Sequence, residues 1–147
     1  MFINIHSTGK YPADALSNFA PHVFSFDGHA AIPCMEAFLQ SLKFEDPHEQ
    51  LRVLAMPAKE AKRVGSNQRW HRFLYWNGRK IDRFSVDYIQ LLESAYRCLM
   101  QNPTFLQAMI DSKGHLLLHT IGKTFRRNTV LTWWEFVGLL HKLRKEV

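Results

Sequence analysis

Residues 33–44 have the sequence Pro-Cys-Met-Glu-Ala-Phe-Leu-Gln-Ser-Leu-Lys-Phe, and the rest of the chain is organised around this stretch. Pro33 suits the first position of a helix, because its fixed φ matches the helix and it lacks an N–H that would need a partner. At roughly 100° per residue, Glu36, Gln40 and Lys43 fall within about 40° of one another. The sequence therefore predicts a helix that is apolar except for one polar stripe.

This polar stripe has two interpretations. Charged residues on one helix face are common at the surface, where side chains spaced i, i+3 or i+4 stabilise a helix modestly. An enclosed stripe would instead bring a carboxylate, an amide and an amine into one site. Lys43 is accordingly either a surface amine whose stem covers apolar neighbours or a desolvated amine able to act as a nucleophile.

A short hairpin is predicted directly before the helix. Val-Phe-Ser-Phe at 23–26 and His-Ala-Ala-Ile at 29–32 flank Asp27-Gly28, a dipeptide typical of tight hairpin turns. Leu-Ser-Asn-Phe-Ala-Pro-His at 16–22 leads into this hairpin. The hairpin would deliver the chain to the start of the helix.

In this order, four motifs resemble the NADAR family, which is associated with NAD and ADP-ribose chemistry. They are Leu-Ser-Asn-Phe-Ala-Pro at 16–21, the Asp-Gly hairpin, Pro-x-x-Glu at 33–36 and Gln-x-x-Lys-Phe at 40–44. The resemblance is strong over residues 2–65, weaker to about 112 and poor beyond. It implies a small α+β domain and, for some family members, removal of ADP-ribose from guanine in DNA.

The resemblance and the chemistry of the side chains together give a set of candidate site residues. Glu36 and Lys43 are predicted to be catalytic. The predicted substrate-binding residues are Asn18, Phe19 and Gln40 for the ribose and base, Lys62 and Arg63 for a diphosphate, and His6 and Phe84, which stand where family members have residues of another type.

Length and composition favour one soluble domain spanning residues 1–147. Hydrophobic residues make up 46% of the chain, and no apolar run approaches the 18 residues of a membrane span. The N-terminus lacks a basic start followed by an apolar region, which argues against a secretory signal. We therefore expect a cytoplasmic protein with no membrane partner, and nothing in the sequence fixes its oligomeric state.

The chain is basic, with a formal net charge of +6 and a pI of about 9.6. Basic residues concentrate in residues 59–84, where aromatic residues are interleaved with them. Cations mixed with aromatics suit phosphates and stacked bases, so this segment predicts an interface for nucleic acid, and the family resemblance implies DNA more than RNA. Alternatively, Trp70, Phe73 and Leu74 form the core face of an amphipathic helix.

The remaining pattern predicts a mainly α protein with a few short β-strands. Apolar residues alternate with others along residues 2–6, which predicts a strand, and residues 115–119 are expected to form another. Asn77-Gly78 predicts a turn. Further helices are expected after Asp46-Pro47, at 58–64 with Gly65 closing it in the left-handed conformation, and at 82–101 with an apolar stripe that includes Tyr96. Asn102-Pro103 is expected to cap a helix at 104–111, and Thr-Trp-Trp-Glu at 132–135 fits a capping box that opens the last helix, which ends near Arg144.

The chain departs from the family pattern near its C-terminus. Family members carry an acidic residue, Trp-Gly and a Gly-rich run before the last helix. Residues 119–128 are His-Thr-Ile-Gly-Lys-Thr-Phe-Arg-Arg-Asn, with no acid and one glycine. Such a loop implies altered substrate geometry or lost activity.

We expect neither a metal nor a cofactor. Only His115 and His119 have a spacing that could suit a metal, and no third ligand accompanies them. The chain has no Gly-rich phosphate loop and no dinucleotide-binding fingerprint. Cys34 and Cys98 lie in apolar helical contexts, so we expect reduced thiols.

The predicted function is N-glycosidase activity that removes ADP-ribose from a modified base, most directly ADP-ribosylated guanine in DNA. Cleavage at a ribose C1 passes through an oxocarbenium-like state, which Glu36 could stabilise as an anion or assist as an acid. Its position in the first helical turn favours the ionised form. Lys43 could attack C1 and form a Schiff base. The alternatives are hydrolysis of ribosylamino intermediates of the riboflavin pathway and non-catalytic binding of ADP-ribose or ADP-ribosylated nucleic acid.

Overall fold

A computed structural model describes residues 1–147 and contains six α-helices and six short strands. The helices are α1 (Met35–Ser41), α2 (Pro47–Leu54), α3 (Ala58–Ser66), α4 (Val86–Leu99), α5 (Pro103–Asp111) and α6 (Trp133–Arg144). The strands are β1 (Phe2–Asn4), β2 (Phe24–Phe26), β3 (His29–Ile32), β4 (Phe73–Trp76), β5 (Arg79–Asp82) and β6 (Leu116–Leu118). The mainly α prediction with a few short strands is confirmed.

The strands form three separate two-stranded sheets. β2 and β3 pair antiparallel, as do β4 and β5, and each pair is closed by a turn with two positive φ angles, at Asp27-Gly28 and at Asn77-Gly78. Asn and Asp tolerate positive φ better than most residues and Gly does so freely, which is why both turns were recognisable in the sequence. β1 pairs in parallel with β6, and Ile3 lies opposite Leu117.

The core lies between the two hairpins and the long helices. Trp76 is fully buried, with its ring centroid 5.0 Å from that of Phe38 and 5.7 Å from that of Phe26. The indole N–H of Trp76 donates to Asp27 Oδ2 at 2.8 Å, which satisfies its polar atom. This aromatic group ties the first hairpin and the second hairpin to α1.

Side-chain caps begin four of the helices, and α4 starts at Val86 rather than at the predicted residue 82, because residues 79–82 form β5. Asp46, Ser85 and Asn102 cap α2, α4 and α5 through their side chains. Thr132 and Glu135 form the predicted capping box at the start of α6. Cys34 and Cys98 are free thiols, as expected. None of the helices is long and apolar enough to cross a membrane.

Three other local predictions were wrong. Pro33 precedes the helix, because Cys34 has an extended backbone and α1 begins only at Met35. Gly65 is an interior residue of α3 rather than a left-handed terminator. The amphipathic helix considered for Trp70, Phe73 and Leu74 is absent, since residues 73–76 pair with β5.

Candidate active site

A cavity of about 330 Å³ opens beside the polar face of α1. Its walls come from α1, from the segment 17–19, from the loop 119–123 and from residues 129–132, which we call the roof segment. It is lined by His6, Ser7, Ser17, Asn18, Phe19, Glu36, Leu39, Gln40, Lys62, His119, Ile121, Gly122, Lys123, Thr129, Val130, Leu131, Thr132 and Phe136. The predicted residues His6, Asn18, Phe19, Glu36, Gln40 and Lys62 therefore meet in one place.

Glu36 provides the buried acid of this cavity. Glu36 is only 6% exposed to solvent. Burial raises the pKa of Glu36, and the nearby Lys62 cation, the Gln40 amide and the Lys43 amine offset that rise only in part. The cost of burying the charge therefore outweighs the small effect of the helix terminus, which favours the ionised form.

The segment 17–19 is fixed against α1 and α4. Ser17 Oγ accepts a hydrogen bond from the Phe19 N–H, which sets the backbone around Asn18. The Glu36 N–H donates to the Asn18 carbonyl at 3.0 Å and links this segment to the first turn of α1. The buried Tyr96 hydroxyl donates to Asn18 Oδ1 at 2.6 Å. The Asn18 amide is thus held in a defined orientation at the cavity wall.

Gln40 lies one helical turn beyond Glu36 and is buried. Its Oε1 has no hydrogen-bond partner and faces Gly65 of α3. A β carbon at position 65 would come within 1.9 Å of that oxygen, so only glycine leaves room for this side chain. Gly65 therefore acts through close packing of α3 on α1, not through a left-handed backbone.

Lys43 does not line the cavity that contains Glu36 and Gln40. Its amine donates to the Gly65 carbonyl at 3.1 Å, and its side chain borders a second cavity, of about 280 Å³. The expectation that Glu36, Gln40 and Lys43 share one pocket therefore holds for Glu36 and Gln40 only, and Lys43 lies just beyond the end of α1. Burial, together with the Lys62 and Lys123 charges, lowers the pKa of Lys43 to about 8, although Glu36 opposes this.

The other predicted residues divide between the cavity and the surface. Lys62 lies on the cavity wall, as does His6, whose Nδ1 lies 3.0 Å from the Thr8 nitrogen. Arg63 is exposed and does not border the cavity. Phe84 also lies outside it, with the Arg126 guanidinium 5.3 Å from its ring centroid. Lys123 is a cavity cation that the sequence did not single out.

The roof segment is held by a buried ion pair. The buried Arg83 donates to the Thr129 carbonyl at 3.0 Å and makes two hydrogen bonds to the carboxylate of Glu135. The Tyr88 hydroxyl donates to the Val130 carbonyl in the same segment. Burial would raise the pKa of Glu135, but the hydrogen bonds from Arg83 and from Thr132 hold it below its usual value. This side of the cavity is consequently preformed.

His119 and Gly122 complete the wall that departs from the family pattern. Burial lowers the pKa of His119, and its Nδ1 hydrogen-bonds the Ile5 carbonyl at 2.8 Å. Gly122 lies so close to Trp133 that an added β carbon would be 2.6 Å from the Trp133 Cβ. No three His, Cys, Asp or Glu side chains lie close enough together to hold a metal ion.

The basic and aromatic segment 59–84 is not one continuous surface. Trp76 is in the core, and Arg83 forms the buried ion pair with Glu135. Arg72 pairs with Asp82, and Lys80 lies 4.3 Å from the Phe73 ring centroid. The segment thus contributes to the core, to the roof segment and to several unconnected surfaces.

Sequence reasoning missed several residues that build the cavity. Tyr96 belongs to the apolar stripe of α4 by its spacing, and only its hydroxyl indicates the polar contact that it makes with Asn18. His119 and Lys123 stand in the segment 119–128 that departs from the family pattern, and the sequence indicated Thr132 only as a helix cap, so none of the three was expected at the cavity. Each comes to the cavity through contacts between residues distant in sequence.

The cavity combines a carboxyl with a raised pKa, a fixed amide and two amines. A carboxylic acid can donate a proton to a leaving group, and amines can bind phosphate. The volume is at the lower end of the roughly 300–1,000 Å³ of small-molecule sites. It suits one sugar with part of an attached base or phosphate.

Comparison with known proteins gives the relationships of the chain. A sequence model described as bacteriophage protein GP30.3 matches residues 10–145. An uncharacterized 17.1 kDa protein from the Gp30–rIII intergenic region of Enterobacteria phage T4 is 32% identical, covering 97% of this chain and 96% of the relative. The NMR structure of the E. coli protein YbiA, a NADAR family member, superposes with a TM-score of 0.70 at 20% identity, covering 99% of this chain and 84% of YbiA. The chain thus has a YbiA-like fold, and it belongs to the bacteriophage GP30.3 family.

Proposed function

We propose that this protein is an N-glycosidase that removes ADP-ribose from a modified base, with ADP-ribosylated guanine in DNA as its substrate. The observation that carries the proposal is the buried carboxyl of Glu36, whose pKa is raised, in a cavity that also holds Lys62 and Lys123. The motifs shared with the NADAR family and the YbiA-like fold favour this class of chemistry.

Glu36 acts as the acid in this mechanism. Burial raises its pKa and so favours the protonated form more than in an exposed carboxyl, which suits the role of an acid. It donates its proton to the departing base as the bond between ribose C1 and the base nitrogen breaks. The carboxylate that remains stabilises the oxocarbenium-like sugar, and water adds to C1 as it returns a proton to Glu36, which yields ADP-ribose.

Lys43 offers a covalent route through the same bond cleavage. With a pKa of about 8, a minor but useful fraction of its amine is neutral at pH 7. The neutral amine attacks C1, the base leaves with the proton from Glu36, and opening of the ribose ring gives a Schiff base that water hydrolyses. This route requires Lys43 to leave the Gly65 carbonyl and turn toward the cavity.

The substrate is held by the polar groups around Glu36. Asn18, fixed by Tyr96, binds a ribose hydroxyl, and Phe19 packs on the sugar or base. Lys62 and Lys123 bind the diphosphate, since ammonium groups form strong hydrogen bonds to phosphate oxygens. Arg63 is exposed beside Lys62 in sequence and contributes charge at longer range.

The test is release of ADP-ribose from a single-stranded oligonucleotide that carries one ADP-ribosylated guanine. We expect turnover by the wild-type protein and a loss of about 10²- to 10⁴-fold in Glu36→Gln, the range typical of general acid catalysis. Glu60→Gln is the control, because Glu60 is exposed and lies outside the Glu36 cavity and outside the cavity beside Lys43. Equal turnover by Glu36→Gln and the control would refute the proposal.

A second candidate function is non-catalytic binding of ADP-ribose or of ADP-ribosylated nucleic acid. Two observations favour it: the Lys43 amine lies outside the Glu36 cavity, and residues 119–128 contain no acid. Tight binding of the modified oligonucleotide without release of ADP-ribose would support this function. Turnover of ribosylamino intermediates of the riboflavin pathway, with the modified oligonucleotide left intact, would identify a small-molecule N-glycosidase instead.

A further inference from the structure

An exposed aromatic and basic surface adjoins the mouth of the cavity. Phe84 is 44% exposed, Phe125 62% and Trp134 58%, and we call these three, with Arg126 and Arg127, the mouth surface. Ile121 and Lys123, which line the cavity, lie a few residues before Phe125 in the same loop. Phe125, Arg126 and Arg127 therefore continue the chain from the cavity wall, and Phe84 joins them through its contact with Arg126.

The mouth surface is strongly cationic. Residues 112–134 contain no Asp or Glu, and neither Arg126 nor Arg127 forms an ion pair. The Arg126 guanidinium lies 5.3 Å from the Phe84 ring centroid, so one cation and one aromatic face are already paired. An anionic partner with flat aromatic groups fits this chemistry.

The surface is held in place before any partner arrives. The Trp134 indole N–H donates to the Thr124 carbonyl at 3.1 Å, and the Trp133 N–H donates to the Lys123 carbonyl at 2.9 Å. The Asn128 N–H closes a turn onto the Phe125 carbonyl at 3.0 Å. A preformed surface loses little conformational entropy on binding.

We propose that the mouth surface binds the unpaired nucleotides that flank the modified base. Exposed aromatic faces stack on unpaired bases, and arginines neutralise the backbone between them. Base pairs in a duplex hide these faces, so the surface selects single strands. This inference rests on the proposed function, because it places the modified nucleotide in the cavity and its neighbours on Phe84, Phe125 and Trp134.

The test uses fluorescence anisotropy with a fluorescein-labelled 12-nucleotide oligothymidine that carries no ADP-ribose. We expect Trp134→Leu and Phe125→Leu each to weaken binding at least about fivefold, the lower end of the loss per stacked base. Arg126→Gln combined with Arg127→Gln should weaken binding and flatten the slope of log affinity against log salt by about 1.4, or about 0.7 for each phosphate contact on a single strand.

Two controls are available elsewhere in the chain. Phe2→Leu removes an exposed aromatic from β1, and Arg79→Gln with Lys80→Gln removes two exposed cations from β5. Both controls should bind the oligonucleotide within about twofold of wild type, a change too small for a lost stacking contact. Folding of each variant is checked by thermal unfolding. If Trp134→Leu is unstable, the double variant Arg126→Gln with Arg127→Gln still tests the inference.

Several outcomes would overturn the inference. The first is that the control variants weaken binding as much as the mouth variants do. The second is that a duplex of the same length binds as tightly as the single strand. The third is that no oligonucleotide binds even at about 50 mM salt, where phosphate contacts are strong. Mouth variants that lose binding to phosphatidylglycerol vesicles but not to oligothymidine would show a membrane-facing surface instead. Hydrolysis of isolated ADP-ribosylated guanosine reports on the cavity alone, so failure of the proposed function is measured separately.

Discussion

The hydroxyl of Tyr96 donates a 2.6 Å hydrogen bond to Oδ1 of Asn18, 78 residues away in the sequence. Asn18 also offers its backbone carbonyl to the Glu36 N–H, so this contact connects α4, the segment 17–19 and the acid of the cavity. Tyr96 itself does not border the cavity. We therefore assign it a positioning role.

Tyr96→Phe should lower kcat/KM for the modified oligonucleotide about 5- to 10-fold, because loss of one hydrogen bond worth about 1 kcal/mol frees the Asn18 amide. Tyr11→Phe is the matched control, since Tyr11 makes its hydrogen bond to Asp111 at the surface. The affinity of each variant for ADP-ribose, measured by calorimetry, distinguishes positioning from stability. Equal affinities for the two variants would exclude the positioning role.

Glu36→Gln should make the protein more stable at pH 7 while removing turnover. Burial raises the pKa of Glu36 in the folded state, so the folded protein loses stability as pH rises above the ordinary carboxyl pKa of 4.5. Gln has no charge to bury, and the advantage of the variant should vanish near pH 4. Thermal unfolding midpoints of both proteins from pH 4 to 8 measure this. A variant less stable than wild type at pH 7 would contradict the assignment.

Gly65→Ala should displace Gln40 and impair the site. The new β carbon would lie 1.9 Å from Gln40 Oε1 and 2.9 Å from its Cβ, so the two helices must separate. Overpacking of this kind costs about 1–3 kcal/mol, and turnover should fall with it. Gly138→Ala in α6 is the control, because a β carbon there meets nothing within 4 Å.

That control should leave turnover unchanged and stabilise the protein by about 0.5–1 kcal/mol, the usual gain for alanine over glycine inside a helix. Urea unfolding of both variants gives the two free energies of unfolding. If Gly65→Ala were as stable and as active as Gly138→Ala, the close packing of α3 on α1 would have no role in the site.

Arg83→Met should destabilise the protein by about 3–5 kcal/mol, because it leaves the Glu135 carboxylate partly buried without its partner. The roof segment should also exchange its amide hydrogens faster, since the Thr129 carbonyl loses its donor. Arg72→Met, which breaks the exposed pair with Asp82, should change neither property measurably. Unchanged exchange at residues 129–132 in Arg83→Met would show that the ion pair does not hold the roof segment.

The parts of the fold that were predictable depend on local signals. The Asp27-Gly28 turn, the caps at Asp46 and Asn102 and the box at Thr132 each involve residues within four positions of one another. Periodicity placed Glu36 and Gln40 on the same face of α1, and both line the cavity. These features needed no knowledge of distant contacts.

The parts that escaped prediction depend on distant residues. Gly65 was expected to end a helix because glycine often does so, whereas its role is set by Gln40 on another helix. The direction of Lys43 follows from the position of the Gly65 carbonyl. The raised pKa of Glu36 follows from burial under loops that join the site only in the folded chain. Single-sequence patterns carry no information on such packing.

The most direct test of the central claim is a crystal structure of the Glu36→Gln protein with ADP-ribose. We expect C1 of the distal ribose to lie about 3–4 Å from the side chain at position 36, close to the distance for reaction, with the diphosphate against Lys62 and Lys123. ADP-ribose bound in the second cavity beside Lys43 and Arg69, with the Glu36 cavity empty, would contradict the account.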